Sequence, residues 1–401
     1  DDGGAAWVGE NGELIIDNSL IENNTAESTA GGIYLDLTGS LTLRNSTIRD
    51  NSDEGIYVDD ASTALVVSST ISGNGDQGID AKNGSSVTVE NSIIRDNSDE
   101  GIFMDDDTSL TLRNSTVSGN ADQGIELEVD ATATIVNSTI SGNDDEGILL
   151  DGSRSTATVV NSTISGNVDQ GIFLDGPDSS AIVEQTTIIG NDDEGILVRD
   201  RAEGVTLSRS LIGDNGVEDS EEDIDVESGH PDPAAAFLSN GYNVIATVGR
   251  VPFNANTTGD LYGDNRNTTT ANDGATEVNG VVDPRVLPLA ANGAEVFETH
   301  ALDADSPALN HIPIGSGGCG STLIEDQRGV ARPAKGACDV GAYENADVDS
   351  VYAEVAADQY NPAPGEVVEF TVTLTNTDLT TAQTGISLEN TLPADLTLVG
   401  S

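Results

Sequence analysis

Carboxylates carry most of the chemistry this sequence could do. One column of aspartates recurs at a nearly fixed step: Asp53, Asp76, Asp99, Asp122, Asp145, Asp169 and Asp193. The position after each alternates through Glu54, Gln77, Glu100, Gln123, Glu146, Gln170 and Glu194. Carboxylates stacked at a strand spacing of about 4.8 Å repel by roughly 1 kcal/mol in water and by several times that near a protein surface. A glutamine between two glutamates doubles the charge separation and keeps a hydrogen-bonding partner. The aspartates have no such relief and call for cations, concentrated salt or backbone amides. Ca²⁺ takes six to eight oxygens in variable geometry, so the column is a candidate Ca²⁺ site; no other cofactor is required. A solvated acidic face in a brine-living protein accounts for the same residues, because the Debye length at molar salt is about 3 Å.

Catalysis could also fall to other groups. Glycoside hydrolysis needs two carboxylates at a set separation, one of them with a raised pKa. With 70 acidic residues such pairs are easy to find, and the clusters that break the repeat are Asp105-Asp106-Asp107 and Arg199-Asp200-Arg201. His230, His300 and His311 all fall outside the repeats, and no Ser-His-Asp, phosphate-loop or zinc motif occurs. Functional sites tend to break local regularity, and these repeats are regular, which argues against an enzyme. A carbohydrate-binding or polysaccharide-cleaving protein, of lyase or hydrolase type, is the alternative. One further row faces outward: Tyr34, Tyr57, Asp80, Phe103, Glu126, Leu149, Phe173 and Leu197. Its apolar members (Tyr34, Tyr57, Phe103, Leu149, Phe173 and Leu197) make an interface stripe that something should cover. The first expectation is the C-terminal part of the chain folding back; a neighbouring subunit and a saccharide come after it.

A repeat must hold these columns. The pair Gly-Ile recurs at Gly32, Gly55, Gly78, Gly101, Gly124, Gly147, Gly171 and Gly195, in steps of 23 and finally 24 residues. A fixed period of this size means stacked coils. Within each period the apolar residues alternate in runs too short for helices, as in Val159, Ile164, Ile172 and Leu174, which is the strand signature. The expected fold is all-β: a right-handed parallel β-helix of about eight to nine coils of 23–24 residues. Inward columns run through Ile48, Ile71 and Ile94, through Ile56, Ile79 and Ile102, and through Val66, Val89 and Leu112. A corner column, Asn24, Asn51, Asn74, Asn97, Asn120, Asn143, Asn167, Asn191 and Asn215, should form an internal amide ladder at a left-handed turn. Asn45, Asn114, Asn137 and Asn161 lie in Asn-Ser-Thr sequons at a regular corner; Asn256 and Asn267, in a loop-like region, are the better glycosylation candidates.

Composition narrows the partners. A net charge of −55 and a pI near 4.1 rule against nucleic acid and anionic membranes. No apolar run is long enough for a membrane-spanning helix. The opening Asp1-Asp2-Gly3-Gly4 fits a processed product. Cys319 and Cys338 are a candidate disulfide, worth about 3 kcal/mol by chain entropy and suited to an oxidising, extracellular setting.

Beyond about residue 217 the period fades. Ser239-Asn240-Gly241-Tyr242-Asn243-Val244-Ile245, Thr258-Gly259-Asp260-Leu261, Asp283-Pro284-Arg285, Thr299-His300-Ala301-Leu302, Asp326-Gln327-Arg328-Gly329 and Cys338-Asp339-Val340-Gly341-Ala342-Tyr343-Glu344 follow in order. This series resembles the C-terminal module of secreted β-helix surface proteins of the choice-of-anchor Q type, departing from it by an insertion near Asp264 to Val281. Asn361-Pro362-Ala363-Pro364-Gly365, Val372 to Thr377 and Leu392 to Val399 resemble a conserved-repeat Ig-like surface domain, of which the sequence covers about half. The resemblances imply three parts: a β-helix over 1–218, a C-terminal β module over 219–345 and a partial Ig-like domain over 346–401. They imply an exported cell-surface or matrix protein and do not imply a reaction. The combined expectation is an extracellular structural protein, an adhesin or a self-assembling filament or matrix subunit, with glycans as a further class of partner.

Overall fold

Alternation of apolar and polar residues turns each repeat into three short strands. One coil shows the pattern: Ile148–Leu150, Thr156–Val160 and Thr163–Ser165. The computed structural model describes residues 4–26, 29–199, 201–216, 222–249, 259–264, 276–279, 281–294, 296–334, 336–346, 351–357 and 370–376. The strands stack in parallel as three long sheets. The first has ten strands, from Ala6–Val8 to Ile224–Val226; the second has ten, from Glu13–Asp17 to Phe237–Ser239. The third has twelve, from Leu20–Glu22 to Thr276–Asn279. No helix occurs among the described residues.

Register follows from the inward columns. Ile56, Ile79, Ile102, Ile125, Ile148, Ile172 and Ile196 pair in succession across the first sheet. These residues, and those of the other two columns from Leu43 and Ile48 onward, are fully buried. Slipping any strand by one residue would send its whole apolar set outward, so burial fixes the register. The glycine before each isoleucine is a packing requirement. A Cβ on Gly124 would lie 2.7 Å from Asn143 Nδ2, Gly147 O and Ile140 Cγ2 alike.

The asparagine column is a continuous ladder. Each Nδ2 donates to Oδ1 of the next coil at 2.8–3.0 Å, from Asn24 through to Asn191 and Asn215. The left-handed backbone does not sit on these residues. It falls on the residue before, such as Asp50, Gly73, Asp96 and Gly119, and on the sequon corner at Asn45, Asn114, Asn137 and Asn161. The ladder asparagine must aim its amide inward, so its neighbour takes the turn. A serine ladder runs in parallel, each backbone N–H donating to Oγ of the next coil from Ser19 to Ser162. Both ladders end on buried aspartates. Asn215 donates to Asp223 Oδ1 with its backbone N–H and with Nδ2, each at 3.0 Å. Ser210 N–H donates to Asn243 Oδ1, and Asn243 donates to Asp260 Oδ1 with N–H and Nδ2 at 2.9 and 3.0 Å. A carboxylate accepts but has no N–H to pass on, so it ends a chain of donors cleanly.

The coils do not stop at residue 218. Ile224–Val226, Phe237–Ser239 and Val244–Ile245 pair in register with the preceding coil although the sequence period has dissolved. Leu261–Asp264 and Thr276–Asn279 then extend the third sheet alone. Insertions at the corners hide the period while the inward residues Ile224, Phe237 and Ile245 keep their places in the core.

Contacts divide the chain into two units, Asp1–Asn345 and Ala346–Ser401. In the second, Val351–Ala357 and Phe370–Asn376 pair antiparallel, from Val351 opposite Asn376 to Ala357 opposite Phe370. The rest of the expected Ig-like domain lies outside the described residues.

Candidate functional site

The outer faces of the first and third sheets have different fates. Residues 282–344 fold back, as expected, but onto the third sheet and not onto the Tyr34-to-Leu197 row. Thr116 and Thr139 hydroxyls donate to the carbonyls of Val296 and Glu298, both at 2.6 Å. Gln327 accepts from the Thr163 hydroxyl at 2.7 Å and donates to Ser138 O and Thr139 Oγ1 at 3.2 and 3.0 Å. His300 Nδ1 lies 2.7 Å from Leu287 O and Nε2 lies 2.8 Å from Ser165 Oγ. Burial lowers its pKa, so it is a neutral imidazole donating from Nδ1 and accepting from the serine hydroxyl. Ile189 and Leu211 join Val282, Leu302, Ile312 and the disulfide-linked Cys319 and Cys338 in a second apolar core. The expectation failed because small hydroxyl rows present hydrogen-bonding groups that irregular backbone can match, whereas large aromatic side chains do not.

The outer face of the first sheet is therefore left with its central row. Tyr34 and Tyr57 meet edge to face, ring centres 5.1 Å apart. Asp80, next in the row, is buried, and its Oδ2 lies 3.2 Å from Lys82 Nζ. The Lys82 ammonium stands 5.7 Å from the Tyr57 ring centre and 5.1 Å from that of Phe103. Glu126 follows Phe103, also buried. Farther along, Arg199 lies 4.6 Å from the Phe173 ring centre, 3.3 Å from Asp175 and 3.1 Å from Glu227. Phe173 and Leu197 are buried, while Tyr34, Tyr57, Phe103 and Leu149 stay partly open.

Burial sets the proton affinities on this face. It raises Asp80 to about 7, against the pull of Lys82 and with help from Glu54 and Glu100. Glu126 rises to about 9, first through burial and then through its hydrogen bond and charge contact with Glu100. Burial and Asp105 raise Glu128. For Lys82, burial works against the charge, but the Asp80 and Asp105 carboxylates outweigh it and the pKa rises. Glu126 thus holds a proton at neutral pH while Lys82 holds its charge, an arrangement able to donate and accept protons beside a bound molecule.

The aspartate column lies along one margin of this sheet. Gln77 Nε2 donates to Asp99 and Glu100 of the next coil at 2.8 and 2.9 Å, and Gln123 to Asp145 and Glu146, both at 3.0 Å. Gln170 makes the same bridge to Asp193 and Glu194. The alternate gaps hold only carboxylates: Asp53, Glu54 and Asp76; Asp99, Glu100 and Asp122; Asp145, Glu146 and Asp169, each trio with ligand oxygens within 4.8 Å of one another. The all-oxygen donor set suits a hard cation such as Ca²⁺. Protons relieve the same crowding: burial and neighbouring acids raise Asp76 to about 6, and Asp122 and Asp169 to about 7.

Each repeat-breaking cluster sends one residue to this face, Asp105 beside Glu128 and Arg199 beside Phe173. Asp106 and Asp107 sit at an exposed, left-handed corner, with only Asp105 turned toward the open face. Arg201 is exposed, and Asp200 lies outside the described residues, as do the glycosylation candidates Asn256 and Asn267. Asp80, Lys82, Glu126 and Glu128 were passed over as site residues. The signal was present: two acids interrupt an apolar row two coils apart, and one of only two lysines stands next to the first.

These coils define a right-handed parallel β-helix. The family described as "Right handed beta helix region" matches residues 2–140 and 100–273, and the chain belongs to it. No curated protein sequence matches the chain. Among solved structures, similarity extends to the periplasmic alginate epimerase AlgG, with 14% identity, 60% of this chain and 71% of that one covered, and a TM-score of 0.46. It extends likewise to the Azotobacter vinelandii mannuronan C-5 epimerase AlgE6 A-module (13%, 70% and 77%, 0.49) and to pectate lyase Pel9A (13%, 84% and 87%, 0.42).

Proposed function

We propose that this is a polysaccharide-acting β-helix that lays an extended glycan along the outer face of its first sheet. The observation that carries this reading is the split between faces: the folded-back segment takes the hydroxyl rows and leaves open the row of aromatic rings and titrating carboxyls. Aromatic faces suit the apolar faces of sugar rings, and carboxyls suit their hydroxyls. Tyr34, Tyr57 and Phe103 would serve as platforms, Glu126 as proton donor, and Asp80, paired with Lys82, as proton acceptor. Work outside the cytoplasm is supported by the Cys319–Cys338 disulfide and by the resemblance of residues 237–344 to surface-protein modules.

The test is retention and turnover on a panel of polysaccharides. Tyr57→Ala should release the bound polymer, and Glu126→Gln should retain it while abolishing any release of reducing ends or unsaturated products. A protein that retains no polymer at all would sink the reading. Self-association into filaments is a second reading, supported by the exposed Trp7, Ile15 and Leu20 on the first coil. Negative-stain electron microscopy showing only dispersed rods at low and molar salt would remove it.

A further inference from the structure

The open face already holds two cations, both its own, and both are received in the same way. Lys82 has a carboxylate 3.2 Å away and two aromatic rings within 6 Å. Arg199 has a ring at 4.6 Å and two carboxylates at 3.3 and 3.1 Å. A cation over a ring with a carboxylate beside it gains from the ring quadrupole and from the charge together. The ingredients repeat along the sheet. Beside the central row runs a margin row with one residue per coil: Asp36, Asp59, Lys82, Asp105, Glu128 and Asp151, then Asp175, Arg199 and Glu227. Apart from Lys82 and Arg199 it is wholly acidic, at the strand spacing of about 4.8 Å. Near the centre, Asp80 Oδ1 is buried without a hydrogen-bond partner, on a side chain only 4% exposed. Among the described residues the margin row thus sets seven carboxylates against two cations. An anionic polymer would meet this row as a wall of like charge.

Resting on the glycan-binding reading above, we infer that the polymer taken by this face carries amino groups. Successive ammonium groups of an amino-sugar chain would sit between the aromatic central row and the carboxylate margin, as Lys82 and Arg199 do now. The ring stack supplies the sugar contact and the margin supplies the charge selection.

Calorimetry with three hexasaccharides tests this: glucosamine, its fully N-acetylated form, and galacturonate, all at about 0.15 M salt, where surface charges beyond about 8 Å are screened. The amino form should bind about tenfold more tightly than the neutral form, and the uronate should not bind. Phe103→Ala and Asp105→Asn should each weaken the amino form by about tenfold while the melting temperature holds. Glu90→Gln, an equal charge change on the second sheet, should leave affinity unchanged. Equal or tighter binding of the neutral or acidic hexamer overturns the amino preference and leaves glycan binding standing. A loss in Glu90→Gln matching that in Asp105→Asn also overturns it, because the attraction would then be the diffuse field of a −55 protein. Failure of all three sugars to bind also overturns the amino preference, and retention on the polysaccharide panel then decides the reading it rests on.

Discussion

The first and third sheets are built from the same coils and turn the same kind of backbone outward, yet only one is covered. On the third sheet the outward residues are Thr and Ser through most of the repeat, becoming Ile189, Leu211 and Gly213 near its end. Hydroxyls can bond irregular backbone, and the apolar end anchors it, so residues 282–344 settle there. From Thr139 onward these positions are buried, whereas Thr47, Thr70 and Thr116 stay half-open. On the first sheet the outward residues are bulky or charged, and among the described residues, 282–344 leave it uncovered from Tyr34 to Leu149. One face carries packing that holds the fold, and the other is the one proposed to meet a ligand. Mutations should separate the two.

The largest effect is expected on the covered face. Gln327→Leu strands the Thr163 hydroxyl in a buried contact and removes one of the two bonds made by the Thr139 hydroxyl and by the Ser138 carbonyl, and should cost about 1–3 kcal/mol in chemical denaturation. Phe103→Ala on the open face should cost less than about 1 kcal/mol, since its ring is already half-open. An equal loss in both variants would break the comparison.

Acidity should act through the open face and its margin. Folded-state pKa values of about 6 for Asp76, about 7 for Asp80, Asp122, Asp169 and Glu146, about 8 for Glu194 and about 9 for Glu126 all lie above the ordinary carboxylate value of about 4. The folded state holds protons that the unfolded chain has released, so stability is highest near pH 4 and falls as pH rises toward about 9. At low salt the melting temperature should drop steadily across that window. Molar salt should flatten the slope by screening. Calcium that flattens it at concentrations where sodium does not would put the ion on these carboxylates, in the Asp53, Asp99 and Asp145 triads or on Glu126, Glu128 and Asp151. A flat low-salt profile would mean these carboxyls are ionised throughout.

Near pH 4 the smallest effect on stability should come from Glu126→Gln. Glutamine resembles the protonated acid of the folded state but cannot ionise in the unfolded chain, so the variant should match the parent near pH 4, melt increasingly above it as pH rises toward about 9, and hold a constant gain beyond that. The proton-donating role proposed for it would be lost, and loss of turnover in a folded variant would sharpen the distinction between a face that holds the fold and one that acts.

Much of this molecule was legible in the residues. The Gly-Ile spacing, the isoleucine columns and the asparagine corner set the coil, because a solenoid repeats one local problem and every solution stacks on its neighbour. Asparagine at the corner implied a ladder, and the Gln-for-Glu alternation implied bridged gaps; both depend only on neighbours one coil apart. What required tertiary structure were contacts between segments with no shared period. The sequence could not tell that Gln327 would meet Thr163, that Asp223 and Asp260 would end the two ladders, or that residues 224–245 form a coil of their own. Nor could it choose which face the chain would cover, since that choice turns on matching irregular backbone to hydroxyl rows about 130–190 residues away. Periodic order is written locally and repeated; the open site exists because one long-range packing choice left it uncovered.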